Sequence, residues 1–189
     1  SSAASDVYKR QRLLEAGFRF VKPTIEDFFE GTDHAAVDRL DLHRYMGTWY
    51  EIARFDHRFE RGLSEVTATY TLMPDGTVRV ENRGCKHKKP YDVCKTAEGR
   101  AKIPDPSQPG KLKVSFFLSF YSDYYVLELD QDEYNYALIG SSSDKYLWIL
   151  SRAPILPEEI KKKLLDATTR RGYDVKKLIW VEQREKKIM

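Results

Sequence analysis

The sequence predicts an all-β fold: an eight-stranded antiparallel up-and-down barrel with one C-terminal α-helix packed on its side and a short returning strand. Three observations predict it. From Leu42 onward, short apolar or alternating runs recur with turn signals between them, the mark of an antiparallel barrel or sandwich. One helical pattern follows the eighth run, and one more short run closes the chain. That order is unusual for a sandwich but suits a closed barrel flanked by a helix, and closure removes the exposed sheet edges.

The eight runs are Thr48 to Arg54, Ser64 to Leu72, Thr77 to Asn82, Glu98 to Ile103, Lys111 to Phe117, Tyr124 to Asp130, Tyr134 to Ser141 and Tyr146 to Ser151. Pro74-Asp75-Gly76, the Pro104 to Gly110 stretch, Asp130-Gln131-Asp132 and Ser141 to Asp144 lie between them, each suited to reversing the chain. The helix opens at Pro157-Glu158-Glu159-Ile160, places Leu164, Ala167 and Thr168 at helical spacing and closes at Arg170-Arg171-Gly172. Proline at the start, acids in the first turn and glycine at the end are its boundary signals. Leu178 to Val181 is the returning strand.

A chain of 189 residues, 41% apolar and 13% aromatic, supports one domain with a surplus at one end. The expected division is an extension over residues 1–36, the barrel over 37–184 and a charged tail over 185–189. Basic residues number 32 and acidic residues 29, interspersed along the chain, so no concentrated basic face points to nucleic acid. No apolar stretch approaches the ~18 residues of a membrane-spanning helix. Ser1 to Val21 lacks the apolar middle of a signal peptide.

Cys85 and Cys94 stand nine apart around a lysine-rich segment containing Pro90. They can bridge the two ends of a hairpin in an oxidising compartment or remain two free thiols. His87 alone supplies too few neighbouring ligands for a metal site.

The sequence becomes specific at three places. Gly47-Thr48-Trp49-Tyr50-Glu51-Ile52-Ala53-Arg54 opens the first strand, Tyr121-Ser122-Asp123-Tyr124 precedes the sixth, and Arg152 ends the eighth. In order and separation these resemble the three signature regions of the lipocalin family. Phe55 to Gly62 and Tyr146 to Arg152 resemble the bacterial outer-membrane lipocalins, the branch that includes apolipoprotein D and the plant temperature-induced lipocalins. The resemblance spans about Leu42 to Gln183. It implies binding and storage or transport of a fatty acid or lysophospholipid, a cell-envelope setting, and room for a homodimer and peripheral membrane association. A lipoprotein signal of that branch carries a cysteine before the mature domain, and no cysteine precedes Cys85. A cytoplasmic setting therefore stays open.

Residue chemistry assigns parts within such a barrel. Trp49 is a large ring with one polar N–H, suited to plugging the closed end, and Arg152 can lie over it as a partly desolvated cation–π contact of about 1–2 kcal/mol. Gly47, Asp123 and Tyr124 complete this structural signature. With Trp49 inward, strict alternation turns Glu51, Ala53 and Phe55 inward on the first strand and Tyr146, Trp148 and Leu150 on the eighth. Val114 and Phe116 are expected inside from the fifth strand, and Tyr124, Val126, Tyr136 and Leu138 are lumen candidates from the sixth and seventh. Apolar walls with a few phenols suit an acyl chain with a polar head.

The connection after the first strand covers the mouth, where His57, Arg58 and Arg61 can attract a carboxylate or phosphate and Phe59 can anchor a lid. No Gly-x-Ser-x-Gly elbow, phosphate-binding glycine loop or metal-spaced histidine pair is present, and Glu51 is the sole interior carboxylate expected. No catalysis, cofactor or metal is expected. Residues 12–30 resemble the C-terminal tail of an NAD-dependent epimerase-like family, so the alternative is a lipocalin accessory domain of a fused enzyme. That stretch has no dinucleotide fingerprint.

Overall fold

A computed structural model describes residues 31–88, 91–117 and 120–184. The epimerase-like stretch and the charged tail lie outside the described residues. The unit that holds the barrel begins at Thr32. Asp33 N–H donates to the Arg171 carbonyl at 2.8 Å and Val37 N–H to the Val126 carbonyl at 2.9 Å. Arg171 in turn ion-pairs with Asp33 at 3.2 Å and with Glu128 at 3.0 Å. These bonds fasten the lead-in segment to the barrel wall.

Nine strands are present among the described residues: β1 (Gly47–Phe55), β2 (Ser64–Leu72), β3 (Val78–Lys86), β4 (Val93–Lys102), β5 (Lys111–Phe117), β6 (Phe120–Leu129), β7 (Tyr136–Gly140), β8 (Trp148–Ser151) and β9 (Leu178–Trp180). Each of the first eight pairs antiparallel with its neighbour in sequence, and β1 closes the barrel by pairing with both β2 and β8. The division of labour within β1 is sharp. Gly47 to Tyr50 pair with β2 and Tyr50 to Arg54 with β8, while β9 takes the edge beside Ala53 to Phe55. β2 pairs with β1 from Thr67 to Tyr70, and its pairing with β3 is irregular between Ser64 and Thr67, where Glu65 adopts φ 49°. The Gln183 side-chain amide then donates to the Glu51 and Val66 carbonyls, both at 2.8 Å, and bridges the two diverging strands.

Strand directions place the loops over 56–63, 87–92 and 141–147 at one end, the mouth, and those over 73–77, 103–110 and 130–135 at the other. Two apolar clusters follow from pleat alternation. The inner one fills the barrel with Trp49, Tyr70, Val80, Ala101, Leu112, Val114, Val126, Ala137, Ile139 and Leu150. The outer one lies under α2 (Glu158–Arg170) and includes Ile52, Leu127, Leu147, Ile149, Leu164 and Tyr173. Leu164, Ala167 and Thr168 form the buried face of α2, as their spacing predicts. Pro157 precedes the helix and Gly172, at φ 83°, follows it.

A bulge between Glu51 and Ala53 changes the expected alternation. One extra residue, Ile52, shifts the pleat by one position, so that a strand reading strictly every second residue fails from there on. Ala53 and Phe55 therefore belong to the outer cluster beneath α2 and not to the lumen. Arg54 takes the inward place, fully buried. Tyr136 and Leu138 are also outside, because Ala137 and Ile139 take the inner face of β7. Tyr146 precedes β8 and is partly exposed. Phe116 is 42% exposed beside an irregularity between Val114 and Phe117.

Three further differences concern local elements. A one-turn helix, α1 (Leu42–Tyr45), and a 3-10 turn over Val175–Lys177 carried no clear sequence signal. β3 and β4 run on to Lys86 and back from Val93, past the expected strand ends, so polar exposed residues continue a hairpin beyond the apolar pattern. Cys85 and Cys94 face each other in that hairpin and form a disulfide.

Candidate ligand-binding lumen

The lumen is built upward from its floor. Asp41 caps α1 by accepting from His43 N–H at 2.9 Å and Arg44 N–H at 3.3 Å, and the helix drops Tyr45 into the barrel. Trp49 Nε1–H donates to the Tyr45 carbonyl at 2.9 Å, so the indole's one polar group is satisfied. The Arg152 guanidinium lies 3.9 Å over the Trp49 ring and donates to the carbonyls of Thr48 and Arg44 at 3.0 and 2.7 Å. Gly47 at φ 92° lets the chain turn beneath this arginine, whose Nη1 would be 3.4 Å from an added Cβ. Asp123 pairs with Lys113 and accepts from the Ser142 hydroxyl on the barrel's mouth side.

Above the floor three phenols form a closed set. Tyr45 and Tyr124 hydroxyls are 2.6 Å apart, and the Tyr70 hydroxyl donates to Tyr124 at 3.0 Å. Burial pushes all three phenols above the ordinary tyrosine range, so they remain neutral hydrogen-bonding groups. Of the expected lining, Val114, Val126 and Leu150 belong to the inner cluster, and the partly buried Tyr124 and Trp148 pack against it.

The upper lumen holds the charged groups. Glu51 and Arg54 are both buried and form an ion pair at 2.6 Å. Arg54 also donates to the carbonyls of Glu60 and Leu63 at 2.6 and 3.2 Å, tying the mouth loop to the wall. Burial and then the charge of Glu60 push the Glu51 carboxyl up to about 8, against the opposing pull of Arg54. Glu60 feels the same burial, but His57 and the Trp148 indole, which donates at 3.1 Å, hold its carboxyl below the usual range.

The expected mouth residues divide by neighbour. His57 Nε2 lies 2.7 Å from the Glu60 carboxylate. Arg58 covers the Phe59 ring at 4.6 Å, and Arg61 pairs with Asp56 at 2.8 Å. Arg54, Glu60, Tyr45 and Tyr70 were absent from the sequence-based lining. A bulge hid Arg54, and Tyr45 rides on a helix too short to show periodicity.

A lipocalin-like domain model matches residues 40–183. The outer membrane lipoprotein Blc of Citrobacter freundii is 49% identical over 147 residues, covering 78% of this chain and 81% of that protein. Temperature-induced lipocalin-1 of Arabidopsis thaliana is 42% identical over 158 residues, covering 79% and 82%. Apolipoprotein D of Mus musculus is 34% identical over 154 residues, covering 77% and 78%. Among solved structures, insecticyanin from the tobacco hornworm Manduca sexta matches with a TM-score of 0.65 over 82% of this chain and 87% of that one. At 23% identity this likeness concerns the fold alone. With the barrel, its helix and the signature residues in place, the chain belongs to the lipocalin family, whose barrels bind and carry hydrophobic small molecules.

Proposed function

We propose that this lipocalin binds and stores or transports a fatty acid or lysophospholipid, as a binding protein and not as an enzyme. The observation that carries the reading is the inner wall. Aliphatic side chains and alanines line it from Leu112 to Leu150, above a floor closed by Trp49 and Arg152. Polar groups enter at two levels, the tyrosine set and, above it, the Glu51–Arg54 pair with Glu60 beside it. An apolar interior with a few fixed polar groups suits one acyl chain carrying one polar head. The interior acid Glu51 is occupied by Arg54, which supports a structural use of that carboxylate over a catalytic one.

A chain-length series tests the reading. Each buried methylene contributes about 0.8 kcal/mol, so affinity should rise about fourfold per added carbon and level off when the lumen is full. Calorimetric titration with saturated fatty acids and their lysophospholipids measures it. A flat series, or no binding in either class, contradicts the proposal.

A further inference from the structure

His87 stands without neighbouring ligands in the sequence, but the fold gives it two carboxylates. The Cys85–Cys94 disulfide and the Lys86–Val93 pair hold the ends of β3 and β4 together, so His87 and Asp92 are the first residues past the last paired position on either side. Asp92 Oδ1 lies 2.9 Å from His87 Nδ1. Glu65 comes from β2, beside the Ser64 that pairs with Cys85, and its Oε1 is 3.6 Å from His87 Nε2. Among the described residues this is the one set of three histidine, cysteine, aspartate or glutamate side chains whose donor atoms all lie within 4.8 Å of one another.

The cluster already holds a cation. The Arg184 guanidinium, from the segment after β9, lies 3.6 Å from Glu65 and 3.2 Å from Asp92, and its Nη2 is 3.1 and 3.3 Å from the two ring nitrogens of His87. Glu182 adds a third carboxylate 3.7 Å from the same guanidinium. Three carboxylates thus face the single charge of one arginine, and a divalent ion at that place would balance them more fully. Lys86 and Lys88, exposed beside His87 in sequence, oppose a cation and limit how tightly one is held.

We propose that Glu65, His87 and Asp92 form a binding site for a divalent ion of the zinc class, which takes the place of the Arg184 guanidinium. One imidazole with two carboxylates suits zinc, whose four-coordinate shell is completed by a single water. Calcium and magnesium ask for six or more ligands, mostly oxygens. The His87–Asp92 separation of 2.9 Å is near the roughly 3.3 Å between neighbouring donors of a tetrahedral zinc shell. None of the three residues belongs to the inner wall, so the site stands apart from the lipid-binding reading. It clasps the start of β2 to the hairpin end, and the disulfide next to it keeps two of its ligands opposed.

Calorimetric titration of the full chain with zinc chloride at pH 7.5 tests the assignment. One ion should bind per chain and raise the thermal unfolding midpoint as its concentration rises, while calcium chloride at equal concentration should do neither. His87→Ala and Asp92→Asn, both at exposed positions, should each weaken zinc binding by at least about tenfold. Arg184→Ala should strengthen it about threefold by removing the competing cation. The double variant Cys85→Ser/Cys94→Ser, which opens the hairpin without supplying thiolates, should weaken it several-fold. No bound zinc overturns the site, as does undiminished affinity in both ligand variants, which would give the metal to His34, His43 or His57. Weaker binding by Arg184→Ala would overturn the exchange of arginine for metal.

Discussion

Glu51 and Arg54 set the energetics of the barrel interior at the scale of single residues. Removing one member of a buried ion pair leaves the other uncompensated, and such changes cost about 3–5 kcal/mol. Arg54→Leu should lose that much at pH 8, measured by urea denaturation, and should loosen the mouth loop that Arg54 holds through Glu60 and Leu63. The pH dependence has a definite sign. Glu51 titrates near 4.5 when unfolded and near 8 when folded, so the fold holds its proton more tightly. Its stabilising contribution is complete below about 4.5 and is lost as pH rises to 8. Glu51→Gln should therefore flatten the stability profile across that window, and a profile unchanged by this substitution would contradict the assignment. Trp49 and Arg152 were legible in the sequence because their side-chain chemistry suits a floor wherever a closed barrel ends. Arg54 was not, since its inward turn depends on a bulge between Glu51 and Ala53 that leaves no compositional mark.

Strand β1 joins the lumen, the outer cluster and β9 within nine residues. Its bulge assigns Ala53 to the space under α2, where no side-chain surface is exposed. Ala53→Leu should overpack that interface at about 1–3 kcal/mol; a tolerated leucine, read from thermal unfolding, would place Ala53 elsewhere. The β3–β4 hairpin stands at the mouth and is closed by Cys85–Cys94, nine residues apart in sequence. By loop entropy the bridge contributes about 2–3 kcal/mol. Reduction should lower hydrogen-exchange protection at the hairpin end while the floor around Trp49 keeps its protection. Helix α2 was readable from its proline, acids, spaced apolar residues and glycine, which agree with one another. The upper hairpin was not, because residues 93–98 are exposed and show no apolar alternation.

For the molecule as a whole, eight recurrent runs, one helix and a returning strand were enough to predict barrel closure, since few arrangements bury such strands without leaving edges. The lumen lining was legible only in part. Alternation holds along an unbroken strand, and irregularities in β1, β2, β5 and β6 each reset it. What survives these corrections is an apolar interior, closed below and ringed by charge and aromatic groups above. Native mass spectrometry of the protein after delipidation and reloading with a single-chain lipid tests that claim most directly, compared with Ala68→Trp, which fills the inner wall opposite Trp49. One lipid per chain retained by the original sequence and lost from the folded variant is the expected result. No retained lipid, or equal retention by both, would contradict a ligand held inside the barrel.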